Sequence, residues 1–335
     1  MRFGFDEVCL EHDPGPRHPE TPDRLRAIRR GLSKKHAVDY RSADSADESD
    51  AMAVHDDEYV AEIRQFCADG GGNWDPDTTA VEETWDAALA AAGLAMWSAR
   101  RAAAGDDGRA TPFAIGRPPG HHATIDDAMG FCFLNNAAVA AQHVIDRGDA
   151  ERVAIFDWDV HHGNGTQDIF YDREDVFYTS IHEDGLYPGT GEVDETGEGA
   201  GDGTTLNVPL PAGAGDPEYF ATFDDVLRPA MERFDPDLLL VSAGFDAHRH
   251  DPISRMHLST DGYGHLTQRV RDVADACDAG LGFVLEGGYS LDILSESVGM
   301  VHEVFDGLRP VEPDEEDVDE AVADILDDVR DVHDL

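Results

Sequence analysis

The sequence predicts an α/β fold, with a mostly parallel central sheet flanked by helices. Two observations carry that prediction. Five apolar runs, 112–116 (PFAIG), 153–157 (VAIFD), 176–181 (VFYTSI), 237–243 (DLLLVSA) and 281–285 (LGFVL), are continuous rather than alternating, as strands are when both faces are covered. Helical stretches separate them at 81–104, 135–146, 219–233, 261–278 and 291–305, and repeated strand-helix-strand order implies right-handed crossovers within one sheet. The 335 residues are enough to bury a sizeable core.

Taken in order, the chain opens with MRFGFDEVCLEHD, which turns polar at once, and no apolar run approaches the ~20 residues of a membrane span. A cytoplasmic protein without a membrane partner is expected. Residues 42–58 read as an acidic surface excursion. The glycine-rich stretch 192–205 (EVDETGEGAGDGTT) is too irregular and too acidic for a phosphate cradle and reads as a surface loop. After Pro313, the spacing of Val318, Val322, Ile325 and Val329 is helical. Residues 1–310 are therefore expected to form the main domain and 311–335 an acidic amphipathic helix or tail.

Lys and Arg number 25 against 71 Asp and Glu, a net charge of −46, and the only lysines are Lys34 and Lys35. The acids are spread between well-formed apolar runs, so they belong to a solvated surface rather than to a disordered chain. This is the composition of a halophilic protein working in molar salt, where a Debye length of ~3 Å stops the charge from steering a cationic partner. It offers nothing for direct nucleic-acid binding and leaves a homo-oligomer open. Cys9, Cys67, Cys132 and Cys277 form no CxxC pair and are expected as reduced thiols, mostly in the core.

The unusual polar residues sit just past strand ends. Strand 112–116 is followed by His121 and His122, strand 153–157 by Asp157, Asp159, His161 and His162, strand 237–243 by Asp246, and strand 281–285 by Glu286-Gly-Gly-Tyr289. Open parallel sheets bind ligands at that edge, so one site assembled from distant parts of the chain is expected. Each feature has a bland alternative: a turn, a helix cap at Asp246, a packing tyrosine. Together they form a constellation. In an extended segment Asp159 and His161 point the same way, and Asp246 supplies a third ligand. Two carboxylates and an imidazole, with a position left for water, suit a catalytic zinc or iron(II) ion.

The segments HPETPDRL, RPPGHHA, GFCFLNN, DWDVHHGNGT, YPGTG, AGFDAH and LEGGY, spread over residues 5–306, resemble the zinc-dependent histone deacetylase family, which includes acetylpolyamine amidohydrolases and acetoin-utilisation proteins. Asn164 and LEGGY resemble its class II and bacterial branch. The resemblance implies a three-layer arginase/deacetylase-like fold, with Asp159, His161 and Asp246 as zinc ligands. His121 and His122 match its tandem histidines, Asp157 and Asn164 their orienting partners, and Tyr289 the carbonyl-polarising tyrosine. Asp157, Asp159, His161, Ser180 and Ile181 match a structural monovalent-cation site that would hold K+. Phe131, Gly130 and Tyr187 match the tunnel wall, Arg24, Asp77 and Ile253 other substrate-side positions, and Tyr187 is commonly phenylalanine in the family.

The chemistry implied is hydrolysis of an acetyl amide on lysine in a protein or peptide, or on another amine such as a polyamine. The metal polarises carbonyl and water, His122 is the general base, His121 gives electrostatic support and Tyr289 stabilises the oxyanion. A two-metal ureohydrolase would need further aspartates where Gly163 and His248 stand. An inactive binding module would lack a ligand, a tandem histidine or Tyr289, and this chain has them all. Isoleucine at 253, where polyamine-preferring relatives can carry glutamate, favours acetyl-lysine.

Overall fold

Eight strands build the main sheet of the computed structural model, which describes residues 1–311 and 317–335. They are β1 (Arg2–Gly4), β2 (Asp39–Arg41), β3 (Pro112–Ala114), β4 (Val153–Asp157), β5 (Val176–Glu183), β6 (Thr205–Leu210), β7 (Leu238–Ala243) and β8 (Gly280–Leu285). Every neighbouring pair is parallel, in the order β2-β1-β3-β8-β7-β4-β5-β6. Because side chains alternate across a strand, Phe156, Leu239 and Val241 enter the core on one face while Ile155, Leu238 and Leu240 enter the core on the other. Both faces are dry, which is why these strands are apolar without a break.

Two helices cover the second face, α3 (Thr84–Ala103) and α4 (Asn136–Arg147). Alanine dominates their buried positions, and small side chains let α3 lie close to the sheet, so a β-carbon on Gly116 would stand 2.9 Å from the Ala91 Cα. The Asn135 side chain caps α4 by accepting from Ala138 N at 3.0 Å, and Gly148 ends it in the left-handed conformation at φ 69°. A short helix, α5 (Asn164–Phe170), follows β4, and the first face carries α1 (Asp23–Leu32), the helical segment α6 (216–234), α7 (Thr260–Cys277) and α8 (Leu291–Phe305).

The five expected strands and five expected helices are present, and the α/β prediction holds. Residues 216–234 are helical throughout but pass through one π turn at Phe223–Leu227. Three strands of the main sheet go beyond the sequence prediction, as does a small antiparallel pair at Gly72–Asn73 and Thr79–Ala80. β1 and β2 have three residues each, and β6 carries Asn207 and Pro209, which an edge strand tolerates. Helices α1 and α2 (Asp57–Ala68) are also additional. The surface reading of 42–58 needs correction: Asp47 caps a helical turn at Glu48–Ala51, and Ala46, Ala51 and Val54 are buried. Stretch 192–205 is a loop until β6 begins at Thr205. Cys9, Cys67 and Cys132 are buried, Cys277 is half-buried, and all four are free.

Past residues 312–316, which lie outside the described residues, α9 (Glu320–His333) places Val322, Leu326 and Val329 against the body. It packs beside β6, the open edge of the sheet. Among the described residues no helix is long and apolar enough to cross a membrane.

Candidate active site

Strands β3, β4, β7 and β8 lie next to one another in the sheet, and the loops at their carboxyl ends converge. Past β4 the chain turns on its own aspartates. Asp159 N donates to Asp157 Oδ1 at 3.0 Å and His161 N to Asp159 Oδ1 at 2.9 Å, local bonds that short acidic side chains favour. These turns aim Asp159 and His161 at Asp246, which follows β7, so that ligand atoms of all three lie within 4.8 Å of one another.

His161 Nδ1 is 2.9 Å from Asp159 Oδ1 and 3.4 Å from Asp246 Oδ2. Val160 N donates to Asp246 Oδ1 at 2.9 Å and Gly287 N to Asp159 Oδ2 at 2.8 Å, while Asp246 Oδ2 is buried with no hydrogen-bond partner. Burial and the neighbouring charge of Asp159 push Asp246 up. Against the opposing effect of burial, Asp159 and Asp246 hold His161 up to about 10. Two buried carboxylates, one with an orphaned oxygen, are costly without a cation. The donor set fits a divalent metal with open positions. Space is tight as well, since a β-carbon at Gly287 would collide with the carboxylates of Asp246 and Asp159.

His121 and His122 follow β3 side by side, with ring centroids 4.0 Å apart. They are electrostatic opposites. His121 Nδ1 donates to Asp157 Oδ2 at 2.9 Å, and Asp157 and Asp159 hold its pKa up to about 10 against burial. His122 Nδ1 faces the amide oxygen of Asn164 at 2.8 Å, and burial followed by the charges of His121 and His161 pushes it well below its ordinary value. An amide oxygen only accepts, so His122 carries its proton on Nδ1 and leaves Nε2 as a free base.

Aromatic rings line the approach. Phe131 meets Tyr289 edge-on with centroids 5.8 Å apart, and Tyr187 meets His122 edge-on at 5.1 Å. Gly130 sits at φ +55°, where a β-carbon would run into the His122 ring. Asp77 is exposed farther out, its backbone carbonyl accepting from His18 Nε2 at 2.9 Å, and Thr78 Oγ1 accepts from Phe131 N at 3.2 Å.

A model described as the histone deacetylase domain matches residues 18–305. A histone deacetylase-like amidohydrolase of Pseudomonas aeruginosa is 38% identical over 92% of this chain and 88% of its own length. The chain belongs to the histone deacetylase family. It is also 39% identical to a probable deacetylase of Archaeoglobus fulgidus over 86% of this chain and 81% of that one. The crystal structure of the HDA15 HD domain superposes with a TM-score of 0.90 at 37% identity, covering 99% of this chain and 96% of that one. The deacetylase is thus a hydrolase with the arginase/deacetylase-like architecture.

The structure places the other predicted residues as follows. Ser180 lies directly across from Asp157 in the β4–β5 register and Ile181 is next to it, with Ser180 Oγ 3.0 Å from His182 Nδ1. Ile253 is half-buried on the loop after Asp246. Arg24 was expected on the substrate side. It is fully buried behind Tyr289, its guanidinium carbon 5.0 Å from the ring centre, with donors directed to Glu20 and to the backbone carbonyls of Glu286 and Gly288.

Three supports of the site lie outside the sequence prediction. Asp251 Oδ2 accepts from Tyr289 N at 2.7 Å and Ser290 N at 2.9 Å, fixing the tyrosine's backbone. Glu286 Oε2 accepts from Gly120 N at 2.7 Å and His121 N at 3.2 Å, and burial pushes its pKa up to about 7. Glu20, fully buried, joins Arg24 and Arg117 beneath the tyrosine loop. Acidic residues so abundant on the surface carry no composition signal when buried. Glu286 had a positional signal, at a strand end beside Gly-Gly-Tyr, and Glu20 stood within the HPETPDRL segment.

Proposed function

We propose that this deacetylase hydrolyses the acetyl amide of acetyl-lysine in proteins or peptides, with zinc, or iron(II) in its place, held by Asp159, His161 and Asp246. One observation carries the reading: the open three-ligand cluster lies beside a histidine whose tautomer leaves Nε2 free, with the Tyr289 ring closing one wall. A divalent ion there supplies Lewis-acid polarisation of the amide carbonyl and of the attacking water.

The remaining work falls to the chain's own groups. His122 Nε2 takes the proton of the water as it attacks the carbonyl carbon and returns it to the departing lysine nitrogen, so acetate and a free amine leave. His121, protonated through its contact with Asp157, places positive charge beside the developing oxyanion. The Tyr289 hydroxyl donates to that oxygen; burial pushes its pKa well above 10, so it keeps its proton throughout. Phe131 and Tyr187 flank the methylene stem of the lysine and exclude water, which strengthens each of these interactions. Asp157, Ser180 and the backbone around Asp159, His161 and Ile181 hold K+ as a structural ion. Asp77 grips the backbone flanking the acetyl-lysine, and the apolar Ile253 offers nothing to a second ammonium of a polyamine.

The test compares an acetyl-lysine peptide with acetylspermidine in molar KCl, with Asp246→Ala as the control. Faster peptide turnover, lost together with the metal in the mutant, is expected. Far more efficient hydrolysis of acetylspermidine would make the enzyme an acetylpolyamine amidohydrolase.

A further inference from the structure

The loop after Asp246 reads Ala-His-Arg-His-Asp-Pro-Ile-Ser-Arg, residues 247–255, and it is pinned on every side. Ser254 Oγ donates to the Asp246 carbonyl at 2.5 Å, and Asp251 accepts from Tyr289 N at 2.7 Å. Arg249 N donates to Leu258 O at 3.0 Å, and Arg255 reaches the buried carboxylate of Glu183 at 2.5 Å. Between these anchors Arg249 and His250 are exposed. Arg249 is two residues from Asp251, so its Cα lies within roughly 7 Å of the residue that holds Tyr289.

Two neighbouring cations are already neutralised, Arg255 by Glu183 and Arg24 by Glu20. Among the described residues Arg249 has no carboxylate within ion-pair distance, in a chain with 71 acidic residues against 25 basic ones. Asp77 and Asp75 lie close enough to Tyr187 to add to the rise in its pKa that burial produces. Acid thus lies beside Tyr187, and the loop that holds Tyr289 carries an exposed guanidinium.

We propose that Arg249 is a specificity residue that pairs with an aspartate or glutamate flanking the acetylated lysine, so that the enzyme prefers acetyl-lysine in acidic segments. The inference rests on the acetyl-lysine reading above. A guanidinium suits the task because its planar fork matches a carboxylate and its charge does not titrate away. Direct contact is also the only form of charge recognition that survives a Debye length of ~3 Å in molar salt.

The experiment uses the full chain in molar KCl with three peptides, identical except for Glu, Ala or Lys on both sides of the acetyl-lysine, and a small acetyl-lysine amide with no flanks. One exposed ion pair is worth about 0.2–1 kcal/mol, roughly 1.4- to 5-fold. Wild type should favour Glu over Ala by that factor in kcat/KM, through KM. Arg249→Gln should erase the preference and Arg249→Glu should invert it, both leaving the small amide unchanged. Cleavage of the amide with no flank effect, or a flank order that survives Arg249→Glu, overturns this proposal alone. No cleavage of any acetyl-lysine substrate overturns the reading beneath it.

Discussion

Asp251 offers the sharpest test of how the site is held, because its carboxylate is taken up by backbone amides, that of Tyr289 among them. Its carboxylate is 7% exposed and accepts from Tyr289 N, Ser290 N and Ile253 N at 2.7, 2.9 and 3.1 Å. Hydrogen bonds to a charged acceptor contribute about 1.5–3 kcal/mol each. The two that fix the tyrosine loop therefore restrain it by roughly 3–6 kcal/mol at most, and water recovers part of this because Tyr289 and Ser290 are half-buried. Asp251→Ala should cost about 3 kcal/mol of stability and let the phenol drift from the oxyanion position. Removing an oxyanion donor outright costs about 10²- to 10³-fold in kcat, so Tyr289→Phe sets the ceiling. Asp251→Ala should fall below it, at ~10- to 100-fold in kcat, with KM and metal content near wild type. Asp251→Asn can turn its amide oxygen to Tyr289 N and Ser290 N and sacrifice only the contact with Ile253, so its kcat should stay within about 3-fold. The measurements are steady-state kinetics on a peptide, metal analysis and denaturant unfolding. A wild-type kcat in Asp251→Ala, or equal damage in both variants, would refute the positioning role.

Two further outcomes follow from charge. His161 is held up to about 10 in the metal-free site, so it binds a proton at neutral pH that must leave when Nδ1 becomes a ligand. Metal binding at pH 7.5 should release about one proton from this group, and affinity should fall roughly tenfold for each pH unit below 10. Calorimetry in two buffers of different ionisation enthalpy reads the number, and zero protons released would contradict the ligand assignment. The second concerns salt. At a net charge of −46, close carboxylates repel when unscreened, so the unfolding midpoint should climb steeply from low to molar KCl; a flat response would remove the halophilic reading.

The central sheet and the residues gathered at the candidate site were legible in the sequence for the same reason. A doubly covered parallel strand must be apolar throughout, so β4 and β7 announce themselves, and any polar residue just past such a strand stands out. Asp157, Asp159, His161 and Asp246 were found that way. The edge was less legible because β1 and β2 are too short to establish a pattern and β6 contains Asn207 and Pro209. Helix α1 was hidden by its four arginines, of which Arg24 is turned inward. Asp251 and Glu20 were illegible for a different reason. Their roles depend on burial and on backbone donors supplied by residues 38 positions away for Asp251, and on Arg117, 97 positions away, for Glu20. In a chain this acidic, no local feature separates a buried acid from a solvated one.

The tandem histidines show how far a partner decides chemistry that residue type leaves open. His121 and His122 are chemically identical, adjacent in sequence and both buried. They differ in what meets Nδ1: the Asp157 carboxylate at 2.9 Å for one, the Asn164 amide at 2.8 Å for the other. A carboxylate stabilises the imidazolium, whereas an amide fixes a tautomer without adding charge. The assignment at 164 is reinforced from behind, since the Asn164 amide nitrogen donates to Met129 Sδ at 3.4 Å and so keeps its oxygen toward His122. A carboxylate at 164 would favour protonating His122 beside an already charged His121, and a protonated His122 has no lone pair to accept the water's proton. The amide keeps the pair split, one positive and one neutral, which is the state in which a general base and an electrostatic stabiliser can work side by side.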